Sequence, residues 1–221
     1  SAGVRMHSDG VQAAGRIPVN VAELGVDLYS ISGHKMRAPK GVGALYLRKG
    51  AEIGRMLFGG RHEAGRRAGT ENTPAITAIG AAAELAERTL TKEMIRIGAL
   101  RDRLERGILE RVRDVFVNGE GALRAPNTTN ICFEGIEGES LVIALDLQGF
   151  CVSSGSACSS GAVEPSHVLL ALGLSKQSAK SSVRFSLGSE NTEEQVDALI
   201  DAVVHATAQL RRLSPTYVTH A

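Results

Sequence analysis

The sequence has no surplus of one charge, no long apolar run and few cysteines. Its formal net charge is +1, which argues against a broad basic surface that binds nucleic acid or an anionic membrane. No apolar stretch is long enough to cross a bilayer, and the first residues lack the layout of a secretory signal. We therefore expect neither a membrane protein nor a direct nucleic-acid binder.

Three cysteines at wide spacing form neither a disulfide framework nor a close pair of metal ligands. This usage fits a reducing compartment, so we expect a cytoplasmic protein with no metal site. Cys132 and Cys151 stand in apolar stretches and are predicted to lie in the core. Cys158 stands among serine, glycine and alanine, which predicts an exposed and mobile thiol that suits a nucleophile. The alternative is a loop cysteine without a task.

A hydrophobic content of 43% allows a packed core, and the mixture of strand and helix patterns predicts an α/β fold. The predicted strands are residues 4–9, 27–33, 43–49, 114–118, 128–133, 150–153 and 182–187. A long helical pattern begins with Thr73 as N-cap and Pro74 as first residue, and Thr91 is a candidate break within it. A helix over 138–147 and a capping box that begins at Thr192 are also predicted. The glycine- and arginine-rich stretch 54–72 is predicted to be a functional loop.

Lys35 follows the second predicted strand in the run Ser32-Gly33-His34-Lys35. A lysine at a strand end suits Schiff-base chemistry with an aldehyde, and the serine and histidine beside it can donate hydrogen bonds to a phosphate. The alternative interpretation is a solvated turn lysine. Pattern alone favours that alternative.

Asp9 ends the first predicted strand, where an aspartate can pair with a protonated pyridine nitrogen, and Gln12 can bond a phenolic oxygen of the same ring. The commoner role of a lone aspartate here is to cap the following turn. Arg184, on the last predicted strand, can clamp a substrate carboxylate through two hydrogen bonds or form a surface ion pair.

Taken in order, these pieces resemble the cysteine desulfurases of the class-V aminotransferase group. The matching segments cover nearly the whole chain, and the ordered set is far more specific than any one motif. They are His7-Ser8-Asp9-Gly10-Val11-Gln12, Ser30-Ile31-Ser32-Gly33-His34-Lys35, Gly59-Gly60-Arg61-His62-Glu63, Arg67-Ala68-Gly69-Thr70-Glu71-Asn72, Ser153-Ser154-Gly155-Ser156-Ala157-Cys158-Ser159, Glu164-Pro165-Ser166-His167 and Val183-Arg184-Phe185-Ser186.

The resemblance implies a fold type I pyridoxal-phosphate enzyme, with a mixed, mostly parallel sheet in its large domain. For the cofactor, it implies that Lys35 anchors pyridoxal phosphate, that Asp9 pairs with its ring nitrogen, that Gln12 bonds its phenolic oxygen and that Ser32 and His34 hold its phosphate. It also implies a homodimer in which Thr70 reaches the phosphate bound by the neighbouring subunit. For the substrate, it implies that Arg184 binds the carboxylate and that Cys158 takes sulfur from L-cysteine as a persulfide and leaves L-alanine. The long cysteine loop resembles those that hand sulfur to scaffold proteins for iron–sulfur clusters or to tRNA-thiolation enzymes.

The family's chain is longer than this one, so we expect residues 1–92 to be the C-terminal part of the large domain. Residues 93–221 are expected to form a smaller α/β domain that carries the cysteine loop. The chain alone is then expected to lack full catalysis and to leave a sheet edge or face exposed. Two alternatives stay open: a non-catalytic interaction module of the same fold, and a selenocysteine lyase or another class-V transaminase.

Overall fold

The computed structural model describes residues 3–154, 165–215 and 217. These residues fall into two compact units, Ser1–Met94 and Ile95–Ala221, and each is described by itself. Among the helices of the described residues, none combines the length and the apolar character needed to cross a membrane.

The first unit is built on a three-stranded sheet in the order β1-β2-β3. β1 is His7–Asp9, β2 is Leu28–Ser32 and β3 is Gly43–Leu47. β1 pairs with β2 in parallel, whereas β3 runs antiparallel to β2. The helical elements are α1 (Val21–Leu24), a 3₁₀ helix (Gly33–Met36) and α2 (His62–Gly65), in which Glu63 and Ala64 have positive φ angles. The stretch 54–72 otherwise has no regular structure, as its composition predicts.

Tyr29 is the buried residue in the three strands of this small sheet. It is 5% exposed, whereas most residues of β1 and β3 are exposed. Gly10 packs directly on the tyrosine ring, since a Cβ at this position would lie 2.0 Å from its Cζ. Only glycine therefore allows the turn after β1 to pass over β2 so closely.

Helix α3 spans Thr73–Arg111 without interruption. Two expectations about it are wrong. Asn72 caps the helix, because its Oδ1 accepts a hydrogen bond from the Ala75 amide at 3.3 Å, and Thr73 is already helical. There is no break at Thr91, since good helix formers surround it and neither proline nor glycine follows within the next turn.

The second unit contains a four-stranded sheet in the order β4-β5-β7-β6, in which every pairing is antiparallel. The strands are β4 (Val115–Val117), β5 (Thr128–Phe133), β6 (Ser153–Ser154) and β7 (Ser182–Ser186). The helices are α4 (Gly138–Asp146), α5 (His167–Ala171), α6 (Lys176–Lys180) and α7 (Glu193–Leu213). The sequence patterns do not reveal α1, α5 and α6, which have only four or five residues each. β6 is shorter than predicted and begins at Ser153.

One face of this sheet and the helices α3, α4 and α7 enclose the core of the unit. Leu104, Ile131 and Val203 are completely inaccessible to solvent. Gly107 lets α3 approach α7, because a Cβ there would lie 2.5 Å from the Cδ1 of Ile200. The capping box at Thr192 opens α7 as predicted, with reciprocal bonds to Gln195.

The two cysteines expected in the core differ in their surroundings. Cys132 is buried, as predicted, but Cys151 is exposed, so its prediction is wrong. Phe150 and Val152 on either side pack against the core, and the residue between them is therefore turned outward in this extended stretch. An apolar neighbourhood in sequence does not distinguish the two faces of an extended chain.

Candidate active site

The carboxyl ends of β1 and β2 meet at one edge of the first unit's sheet. The parallel register pairs Asp9 with Ser30, and β2 continues to Ser32 and the 3₁₀ helix. Parallel strands present their carboxyl ends at the same edge. The topology therefore gathers three sequence-predicted residues, Asp9, Ser32 and Lys35, on neighbouring strand ends.

Asp9 is held at this edge by its own turn. Its Oδ1 accepts a hydrogen bond from the Val11 amide at 2.9 Å, which is the capping role that a lone aspartate commonly has. Its other oxygen makes no hydrogen bond within the part of the chain that the structure describes. Burial, and then the negative charge of Asp9, raise the pKa of Tyr29. Asp9 therefore combines a turn cap with a second oxygen that can receive a cation.

Gln12 is oriented by a residue that the sequence interpretation missed. Nη1 of Arg16 donates to the side-chain oxygen of Gln12 at 2.7 Å and to its backbone oxygen at 3.3 Å. Burial lowers the pKa of Arg16. Among the residues that the structure describes, the amide nitrogen of Gln12 has no acceptor, so it is left as a donor. The i, i+4 spacing of the two residues in a short helical turn was the available signal.

Ser32 is the last residue of β2, and His34 follows in the 3₁₀ helix. The Ser32 hydroxyl and the Nδ1 of His34 are 2.8 Å apart, and the histidine is exposed. Lys35 follows in the 3₁₀ helix and is half-buried. Gly33 makes this turn possible, because a Cβ there would lie 2.8 Å from a Val42 methyl and 3.0 Å from its carbonyl oxygen. The strand end thus presents a hydroxyl, an imidazole and an amine within four residues.

Two predicted residues are not brought to this edge by any described contact. Thr70 is exposed near the end of the stretch 54–72, just before α3. Cys158 lies outside the described residues. Both assignments therefore stay predictions.

Arg184 belongs to the second unit and lies on the sheet face opposite the core. In β7 it alternates with Val183 and Phe185, both of which are buried in the core. Its Nε is buried without a hydrogen-bond partner in the described part of the chain. A buried guanidinium nitrogen without an acceptor is costly and suits a site that an outside anion completes.

Polar residues that sequence interpretation missed surround this arginine. Asn130 lies directly opposite it on β5, and Ser153 lies opposite it on β6. Asn118 follows β4 and is 7% exposed, and its Nδ2 donates to Asn130 at 2.5 Å. No sequence signal joins these positions, because only strand register brings them into one row.

Cys132 lies on the same sheet face, but it is not suited to chemistry. Its thiol donates to the Ser178 carbonyl oxygen at 3.4 Å. Burial raises the pKa of the Cys132 thiol to about 11. Since the thiolate is the reactive form, this cysteine is unreactive at neutral pH.

Comparison with known proteins shows the family to which the chain belongs. The profile of the class-V aminotransferases matches residues 1–199, nine-tenths of the chain. The chain belongs to the class-V aminotransferase family. Within that family the chain is 48% identical over 214 residues to a cysteine desulfurase of Gluconacetobacter diazotrophicus. The matched region covers 97% of this chain and 54% of that relative. It is also 48% identical over 214 residues to the cysteine desulfurase NifS of Azotobacter vinelandii, covering 97% of this chain and 53% of that one.

A solved structure of this class-V group has the same fold. It is the X-ray structure of a NifS-like protein from Rickettsia africae, with a TM-score of 0.84 and 36% identity. The match covers 92% of this chain and 54% of that chain. The fold expected from the resemblance, part of a fold type I pyridoxal-phosphate enzyme, is therefore confirmed. The chain spans about half the length of the curated relatives it matches.

Proposed function

We propose that this chain carries the lysine, arginine and nucleophilic cysteine of a pyridoxal-phosphate-dependent cysteine desulfurase. The reaction would convert L-cysteine to L-alanine and leave a persulfide on Cys158. The observation that carries the proposal is the convergence of Asp9, Ser32, His34 and Lys35 on one strand edge of a class-V chain that is 48% identical to cysteine desulfurases.

The residues present at this edge fit pyridoxal phosphate. The free Asp9 oxygen suits a protonated ring nitrogen, and the free Gln12 amide nitrogen suits a phenolic oxygen. The Ser32 hydroxyl and the His34 imidazole share one hydrogen bond, so the pair leaves one further donor for a phosphate group, either the Ser32 O–H or the His34 Nε2–H. The amine of Lys35 is the group that bonds an aldehyde carbon. The chemistry that the cofactor supplies when bound is an electron sink for carbanion formation at the substrate.

Arg184 is proposed to bind the substrate carboxylate. Its buried, unpartnered Nε supports this role, since a carboxylate oxygen would satisfy it and the guanidinium fork allows a second bond. The contact would orient the α-carbon of L-cysteine and contribute to binding in the ground state.

Cys158 is proposed as the sulfur acceptor. Its thiolate would attack the substrate sulfur, which forms a new sulfur–sulfur bond as the bond from sulfur to the β-carbon breaks. The electron pair of the broken bond stays with the carbon, which takes up a proton and becomes the methyl group of L-alanine. The support is the family motif around Cys158, together with the burial of Cys132, which removes one competing thiol.

We further propose a homodimer in the cytoplasm that passes sulfur to an acceptor or scaffold protein. Thr70 would reach the phosphate bound by the neighbouring subunit. The support is the exposure of apolar side chains in the same stretch, with Met56 91% and Phe58 81% accessible, which is more than a solvated loop ordinarily shows.

The test combines the purified chain with pyridoxal phosphate and with the part of a related cysteine desulfurase that this chain does not cover. It then supplies L-cysteine and measures L-alanine release and Cys158 persulfide together. Cys158→Ser should abolish both products, whereas Cys151→Ser, a matched change at an exposed cysteine, should retain both. Persistent alanine release from Cys158→Ser would refute the nucleophile. A protein that binds no cofactor under any condition would favour the interaction module, and a strong preference for L-selenocysteine would favour the lyase.

A further inference from the structure

We propose that the side-chain amide of Asn130 is a second hydrogen-bond donor to the carboxylate of the amino-acid substrate, beside Arg184. This inference rests on the proposed function, because it deepens the carboxylate site that the function requires. It concerns the second unit alone.

The two residues are adjacent across the sheet. Asn130 on β5 and Arg184 on β7 are a directly opposed antiparallel pair, so their side chains leave the same face. Opposed residues have Cβ atoms about 5 Å apart, close enough for one small anion to touch both side chains. Neither residue belongs to the core face, on which Ile131 and Val183 are completely buried.

A chain of hydrogen bonds fixes which end of the Asn130 amide faces Asn118. It begins at the Ser178 backbone carbonyl, which can only accept and accepts from the Ser182 hydroxyl at 2.7 Å. The Ser182 oxygen must then accept from Asn118, whose Nδ2 lies 2.9 Å away. The second hydrogen on that nitrogen goes to Oδ1 of Asn130 at 2.5 Å.

The nitrogen of the Asn130 amide is therefore turned away from Asn118. It makes no hydrogen bond within the described residues, and it is not enclosed, because Asn130 is half-buried. An arginine has five donors and no acceptor, so Arg184 cannot satisfy it. Two neighbouring donor groups without an acceptor between them form a cradle for an anion with two oxygens, such as a carboxylate.

The arrangement distinguishes Asn130 from other polar residues on the same face. Thr128 lies two residues earlier on β5 and on the same face, but it is opposite Ser186 and away from the arginine. It provides a matched control, since its substitution changes the polarity of this face without removing the proposed donor.

The experiment titrates the intact chain with L-alanine and, separately, with L-alaninamide, which lacks only the carboxylate. Proton–nitrogen correlation spectra follow the Nε–H signal of Arg184 and the side-chain amide signal of Asn130. We expect the chemical shifts of both signals to change saturably with L-alanine and to stay unchanged with L-alaninamide. Asn130→Ala should raise the Kd about tenfold, the effect of losing one donor to a charged group. Thr128→Ala should leave it unchanged.

Asn130→Asp is a second variant of nearly the same shape. Its carboxylate would face Arg184 and compete with the ligand, so binding should be weaker than in Asn130→Ala. When the cofactor and the part of a related cysteine desulfurase that this chain does not cover are both supplied, Asn130→Ala should raise KM for L-cysteine while kcat changes little, as removal of a ground-state contact does. Thermal unfolding of each variant checks that the fold is retained.

The outcomes separate this inference from the proposed function. If L-alanine does not shift the Arg184 signal in the unaltered chain, the carboxylate site itself is overturned, and this inference with it. An Arg184 response to L-alanine with an unchanged Kd in both Asn130 variants overturns the role of Asn130 alone. In that case the arginine keeps its proposed function.

Discussion

Arg16 donates a hydrogen bond from Nη1 to the side-chain oxygen of Gln12, with the two atoms 2.7 Å apart. The contact leaves only the amide nitrogen of Gln12 to face outward. Arg16, four residues after Gln12 in the same turn, thus determines that Gln12 acts as a donor at the strand edge. The proposed contact with a phenolic oxygen requires the donor.

Substitution of Gln12 tests this orientation. Gln12→Ala should weaken pyridoxal-phosphate affinity by up to about tenfold, the scale of one neutral hydrogen bond. Gln12→Glu retains the contact with Arg16 but replaces the donor with a negative oxygen, so its affinity should fall further. Cofactor titration followed by visible absorbance measures both. Equal affinity in Gln12→Glu and the unaltered chain would contradict the assigned orientation.

A matched pair on α3 tests the core of the second unit. Leu104 is 0% exposed and Leu109 is 40% exposed on the same helix. Leu104→Ala should lower the free energy of unfolding by about 2–5 kcal/mol, because it removes transfer free energy and opens a cavity. Leu109→Ala should cost about 1 kcal/mol or less, since little apolar area is removed from water there. Urea unfolding measures both, and equal losses would contradict the packing described.

The exposed and buried cysteines should differ in reactivity. In a Cys158→Ser background at neutral pH, Cys151 should react with an alkylating reagent at the rate of a free thiol. Cys132 should react only after unfolding, since it is buried and its thiol is protonated. Peptide mass analysis after timed alkylation measures both. Rapid alkylation of Cys132 in the native chain would contradict its burial.

The raised pKa of Cys132 also predicts how stability depends on pH. The folded state keeps the proton up to a pKa of about 11, against an ordinary value of 9.0. The unfolded state loses its proton first, so the contribution of this thiol is complete below about pH 9 and is lost as pH rises toward 11. Cys132→Ala should flatten this part of the stability profile, measured by urea unfolding at successive pH values. An unaltered profile would contradict the prediction.

The sequence predicted correctly those helices and strands whose boundaries are marked by a few neighbouring residues. β5 begins and ends at the predicted Thr128 and Phe133, and the capping box at Thr192 opens α7. The error at Thr91 arose because a threonine can cap a helix but can equally continue one. The error at Cys151 arose because facing inward or outward depends on the sheet, and its apolar neighbours provide no information on that.

The candidate sites show the same limit. Lys35, Asp9 and Arg184 could be chosen from motifs, because each follows or occupies a strand in a recognisable run. Asn118 and Asn130 could not, because they lie 12 residues apart and join Arg184 only through strand register. Contacts of this kind depend on long-range pairing, which a single sequence does not specify.

The anchor assignment is tested most directly by reducing the chain with borohydride after pyridoxal phosphate is added and locating the modified lysine by peptide mass analysis. Our account predicts a stable cofactor label on Lys35, lost in Lys35→Ala and retained in Lys40→Ala, the matched change at the next lysine along the chain. A label on another lysine in the unaltered chain, or visible cofactor absorbance that persists in Lys35→Ala, would contradict it.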